Sequence, residues 1–235
     1  MSLKIYRIDN SLVGKGFRIL RKPDLPVMAA SGTLFGQNFI RGIRDCLTGD
    51  NYYLIGNDEL DRFINPLGNS WIQKEQYYVR HPKAIKDREL IEAQNFQEYI
   101  LREQISDIVS FLRANIQIKN LYIKSLNHLN FNLGVNVPIE DMQVEGNVEI
   151  KTYNEYELKI TSNTRLKISE KRKNYTWIDD FSTLKIALDN FEGGLFEEKI
   201  IIDNSFGMNL KEASIIGMNT KLMGKKEFII KFEAE

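Results

Sequence analysis

Cysteine is almost missing from this chain. Cys46 is its single thiol, so no disulfide can close within one copy, a usage that fits a reducing compartment. Histidine is scarce as well: His81 and His128 are the two imidazoles, 47 residues apart. Zinc draws on three or four Cys and His ligands, so a closed structural site is out of reach without carboxylates, and no metal or other cofactor is expected. Nucleophilic catalysis needs a base beside the nucleophile, and no Gly-x-Ser-x-Gly elbow is present to supply the usual setting. Neither charge dominates, since 32 Lys and Arg balance 32 Asp and Glu. A nucleic-acid binder draws much of its affinity from a basic excess, so that class is demoted. No apolar run approaches the ~18–20 residues of a membrane-spanning helix. The opening MSLKIYRIDN has neither the apolar core nor the cleavage site of a secretion signal, which sets the expectation of a cytoplasmic protein. The five prolines are scattered, and there is no Gly/Ser-rich linker or fixed-period repeat.

What is present is a change of period. The first part is mixed. LKIYRI at 3–8 and FRIL at 17–20 read as short strands, and apolar residues over about 33–47 recur at helical spacing, ending at Thr48-Gly49-Asp50. NYYLIG reads as a strand. Asn57 is a candidate cap for a short helix reaching Ile64, and SWIQKEQYYVRHP reads as a strand of about ten residues stopped by Pro82. The strongest helical pattern covers 94–113: Phe96, Tyr99, Ile100, Ile105, Ile108, Val109, Phe111 and Leu112 share a stripe, while Glu98, Arg102, Glu103 and Asp107 fall outside it.

From residue 116 the period becomes two. LNFNLGVNVP sets Leu129, Phe131, Leu133, Val135 and Val137 against Asn and Gly. Between 144 and 168 apolar even positions alternate with charged odd ones, with YNEY and TSNT as bends. Helices at about 179–192, capped by Asp179 or Asp180 and closed by Gly193-Gly194, and near 208–217 interrupt the strands FEEKIII and LMGKKEFIIKF. The expected fold is α+β: a twisted or partly closed antiparallel sheet, mostly in the C-terminal half, with amphipathic helices on its apolar face. One domain over 1–235 is expected, mixed over 1–115 and β-rich over 116–235.

Chemistry leaves few marks. GKGF at 14–17 is too short for a phosphate loop, and SGTLFG at 31–36 reads first as a capped turn into a helix. YYVRHPK offers Tyr78, Arg80, His81 and Lys83 at a strand end, a position where binding residues concentrate. SEKRKNYTW mixes basic and aromatic residues in the manner of single-strand nucleic-acid platforms, although a solvated turn explains it as well. The alternating strand at 129–137 has the length of a transmembrane β-strand. Under that alternative Leu129, Phe131, Leu133, Val135 and Val137 would face lipid in a conditional pore-forming effector. The leading expectation is a soluble intracellular protein-binding module without catalysis of its own, whose partner is another protein and which presents either the charged sheet face or the 77–83 strand end. A hydrolase or transferase with a carboxylate-based site is the second alternative.

YYVRHPK, the helical LIEAQNFQEYILREQISDIVSFL and the closing DNSFGMNLKEASIIGMNTKLMGKKEFIIKFEAE together resemble a pattern in bacterial proteins of unassigned function. The resemblance spans about a third of the chain and contains no catalytic motif. It implies a bacterial origin and an α+β fold, and it implies no activity.

Overall fold

The structure is a computed structural model that describes residues 3–8, 52–68, 71, 76–126, 146–153, 155–162 and 175–234. The chain forms two compact units, Met1–Phe96 with Phe206–Asn219, and Gln97–Ser205 with Thr220–Glu235.

The first unit is built on short strands rich in aromatic and β-branched residues, the side chains that suit a pleated, half-buried surface. β1 (Ile5–Ile8), β2 (Tyr52–Ile55), β3 (Tyr77–Arg80) and β4 (Leu90–Glu92) pair in the order β2-β1-β3-β4. β1 is parallel to β2 and antiparallel to β3, which is antiparallel to β4. Register sets Tyr6 opposite both Tyr53 and Tyr78, so one face becomes an aromatic row. Tyr6 stacks on Tyr53 at 5.1 Å between centroids, and Trp71 meets Tyr78 edge-on at 5.3 Å. Ile8, Ile55, Leu60 and Leu90 complete this core. Ile5, Val79 and Ile91 are buried on the opposite face. A 3-10 turn, Asn57–Arg62, follows β2. Its cap is Gly56 rather than Asn57: the Gly56 N–H donates to Glu59 Oε2 at 3.1 Å, and Asn57 is already inside the turn. β3 is also shorter than the ten-residue strand expected, because Gln76 lies outside the ladder.

Asn209 caps a short helix of the first unit, named α3 by its place after the two helices described next (Leu210–Ile215). Its Oδ1 accepts from Glu212 N at 2.9 Å, and Glu212 Oε2 accepts from Asn209 N at 3.3 Å, a reciprocal box. At the other end Met218 N donates to Ala213 O and Gly217 N to Ser214 O, with Gly217 at φ 76, the left-handed closure that favours glycine.

The second unit holds α1 (Phe96–Asn115, from Gln97 onward) and α2 (Ser182–Asp189). Its sheet contains β5 (Ile118–Ser125), β6 (Gly146–Tyr153), β7 (Glu155–Ser162), β8 (Gly194–Asp203) and β9 (Lys225–Ala234). Their order is β6-β7-β5-β9-β8, every pair is antiparallel, and the sheet is open, with β6 and β8 at its edges. The fold is α+β with its larger sheet in the C-terminal half. The inner face of β5, β9 and β8 buries Leu121, Ile123, Phe228, Ile230, Phe232 and Ile200. Phe196 stacks on its register partner Phe232 at 4.5 Å, and Phe191, just past α2, closes edge-on over both.

The helix at 94–113 is observed as Phe96–Asn115; of its apolar stripe Phe96, Ile100, Ile105, Ile108, Val109 and Leu112 are buried, while Tyr99 and Phe111 are half-buried. Its polar side is not simply solvated. Asp107 Oδ2 accepts from the Trp177 backbone N–H and Glu103 Oε2 accepts from the Trp177 indole, both at 2.7 Å, so these two carboxylates are turned onto a buried tryptophan. The helix at 179–192 is shorter than expected. A 3-10 turn at Ile178–Asp180 precedes it, Phe181 occupies the cap without a side-chain bond, and Asp179 instead accepts from Lys185 Nζ. Gly193 and Gly194, at φ 116 and 91, turn the chain into β8. The YNEY bend stands: Tyr153 pairs with Glu155 across Asn154. FRIL at 17–20, the helix at 33–47, Cys46, His128, the strand at 129–137 and the part of the TSNT bend (161–164) beyond Ser162 lie outside the described residues.

Candidate functional site

Two surfaces compete for the role of site, and the strand end comes first. The residues between β3 and β4 fold into a closed loop: His81 N donates to Glu89 O at 2.9 Å, and Lys86 N to Lys83 O at 3.0 Å. Arg80, the last residue of β3, fastens it. Its guanidinium donates from Nε to the Asp87 carbonyl and from Nη2 to the Asp87 carboxylate, a two-point grip suited to the planar fork. It also donates to the Tyr6 hydroxyl. Burial pushes the Tyr6 phenol above its ordinary value, and Arg80 pulls the other way. His81 is buried, and its Nδ1 accepts from Lys83 N at 3.2 Å, so a neutral ring carries its proton on Nε2. Tyr78 is fully buried beneath Trp71.

The four strand-end residues singled out in the sequence therefore share one loop but do not converge on one point. Tyr78 belongs to the core. Arg80 and the His81 ring hold the loop's shape, and Lys83 contributes its backbone N–H there. Tyr6 and Asp87 were not legible as members of this node. The alternation of β1 carried the first, while the seven-residue return from Arg80 to Asp87 has no local pattern. Leu129, Phe131, Leu133, Val135 and Val137 lie outside the described residues. Trp177, a candidate stacking platform, is buried and hydrogen-bonded, so it presents no face to a base.

The second surface is the outer face of β5, β9 and β8. Here period two delivers Asn120, Tyr122 and Lys124 on β5, facing Glu233, Lys231 and Ile229 on β9. On β8, Leu195, Glu197, Lys199 and Ile201 are all exposed, Leu195 at 77% and Ile201 at 53%. The charges answer one another. Lys231 pairs with Glu197 at 2.9 Å and Lys199 with Glu227 at 2.8 Å. Register continues the alternation into β7 and β6, where Glu149 stands opposite Lys159 and Lys151 opposite Glu157. Such a face projects no field of one sign, which suits a protein surface better than a polyanion.

No family model, curated protein or solved structure matches the chain. Among the described residues no group of three or more His, Cys, Asp and Glu is placed to hold a metal ion, and no helix is long and apolar enough to cross a membrane.

Proposed function

We propose that this chain is a soluble, intracellular protein-interaction module without chemistry of its own, and that the outer face of β5, β9 and β8 is its working surface. The supporting observation is the composition of that face. Tyr122 and Ile229 are half-buried at its centre, within a frame of mutually neutralised Lys and Glu, and Leu195 and Ile201 are exposed along its edge. An aromatic and aliphatic centre inside a polar frame is the usual anatomy of a protein interface. The partner is a protein of mixed surface charge with an apolar centre.

The test is site-specific photo-crosslinking in cell extract from Tyr122 and Ile229, with the exposed Ile85 of the first unit as reference. One protein is expected from the first two positions and not from the third. Once purified, it should bind the native chain and lose about tenfold in affinity for Tyr122→Ala, the ~1.4 kcal/mol of a modest anchor residue. The same captures at all three positions, or unchanged affinity for Tyr122→Ala, overturn the reading. Triggered leakage of dye from liposomes would favour a pore-forming effector instead. A turnover abolished by Lys83→Ala would favour an enzyme working at the strand end.

A further inference from the structure

β8 is an edge strand ten residues long, about 34 Å of chain with one side unpaired by any described strand. Folded proteins usually blunt such an edge, because its free N–H and C=O groups template pairing with another chain. This one contains no proline, and it exposes two large hydrophobic side chains, Leu195 and Ile201. The question is which strand it fits.

We infer that β8 pairs antiparallel with β8 of a second copy about a two-fold axis through Glu198, joining two five-stranded sheets into one of ten strands. The argument is self-complementarity in a single register. With the axis at Glu198, Leu195 stands opposite Ile201 of the second copy and Glu197 opposite Lys199 on the outer face, while Phe196 stands opposite Ile200 on the inner face. Apolar meets apolar and acid meets base, each twice by symmetry. The alternation of the sheet then runs on across the junction, from Lys231 to Glu197 to Lys199 of the second copy. A shift by one residue sets exposed positions against buried ones, which a half-buried sheet does not tolerate. An axis at Lys199 opposes that lysine to itself and sets Glu197 against Ile201. An axis at Glu197 sets Leu195 against Lys199. One unfavourable contact remains in the favoured register: Glu198, half-buried, faces its own copy. That carboxylate pair makes the association weak and reversible, and it is the lever for testing it.

The inference extends the reading above in one respect, since the dimer would present two outer faces as one surface. It is measured on the purified chain alone. Sedimentation velocity should show a concentration-dependent monomer–dimer equilibrium. Glu198→Gln should tighten it by about twofold to fivefold, the worth of removing one like-charge cross-strand pair. In a Cys46→Ser background, Glu198→Cys should form a disulfide-linked dimer under mild oxidation. Leu195→Cys and Ile201→Cys should fail singly and succeed together, because each position meets the other across the axis. The doubly substituted chain keeps the test open if Glu198→Cys does not fold. A monomer at every concentration, or self-linking by Leu195→Cys or Ile201→Cys alone, overturns the pairing. Loss of the dimer with capture at Tyr122 intact retires the edge pairing only, and the reverse outcome retires the outer-face reading only.

Discussion

Several buried side chains carry polar atoms whose energetic sign can be stated. Gln97 is almost wholly buried on α1, and neither its Nε2 nor its Oε1 has a hydrogen-bond partner among the described residues. An amide left so costs about 1–3 kcal/mol, so Gln97→Met should stabilise the chain and raise its melting temperature by roughly 2–4 °C per kcal/mol. Asn204 is a mixed case, with a satisfied Nδ2 and an Oδ1 that has no hydrogen-bond partner among the described residues. It is fully buried at the end of β8, and its Nδ2 donates to Gln97 O and Leu222 O, each at 3.2 Å. Asn204→Ala should cost about 1 kcal/mol, read from denaturant midpoints, because the loss of two neutral hydrogen bonds of ~1 kcal/mol each is partly offset by removal of the unpartnered Oδ1. Lys226 is 9% exposed on the inner face opposite Ile202, and burial pulls its ammonium below its ordinary value of 10.5. The unfolded chain therefore holds this proton more tightly than the folded one. Stability should rise with pH between the folded value and 10.5, with the penalty present in full below that window. Lys226→Met should flatten this alkaline rise, measured as stability against pH by chemical denaturation. None of these three residues was marked by the sequence, since period two makes Lys226 apolar-facing only once the strand's phase is known.

At the scale of elements, periodicity read the helices and strands better than their ends. The long helix was legible because its stripe persists over five turns, and β8 and β9 because alternation is strong in both. Caps were misread where another group took the place: Asp179 accepts from Lys185, and Gly56 stands where Asn57 was expected. Glu103 and Asp107 were read as solvent-facing because nothing local announces that Trp177, seventy residues on, docks against them. This contact should matter to the unit's stability. Asp107→Ala removes the carboxylate that accepts from the buried Trp177 N–H, and should lower stability by about 2–3 kcal/mol, the range for a bond to a charged group. Thermal melts followed by tryptophan fluorescence would show it, and an unchanged transition would mean that the docking is incidental.

For the whole molecule, composition and period reached the α+β class, but the pairing order was beyond them. β5 lies beside β9, so Ile123 faces Ile230, and no local signal encodes a register across such a distance. The strand end 77–83 was legible as a position, yet its residues became a loop clasp once Tyr6 and Asp87 were in place. The outer face was legible as charged strands, yet its neutrality appeared only when the pairing of β8 with β9 brought Glu197 to Lys231 and Lys199 to Glu227. That neutrality, with Tyr122 and Ile229 inside it, is why the sheet face rather than the strand end is proposed as the working surface.

The measurement that bears most directly on this choice is the affinity of the captured partner for two single variants. Tyr122→Ala alters the sheet face, and Lys83→Ala alters the strand end while keeping the backbone N–H that His81 accepts. The account predicts that Tyr122→Ala weakens binding by about tenfold and that Lys83→Ala leaves it unchanged. Full affinity for Tyr122→Ala with a loss for Lys83→Ala would contradict it and return the function to the strand end.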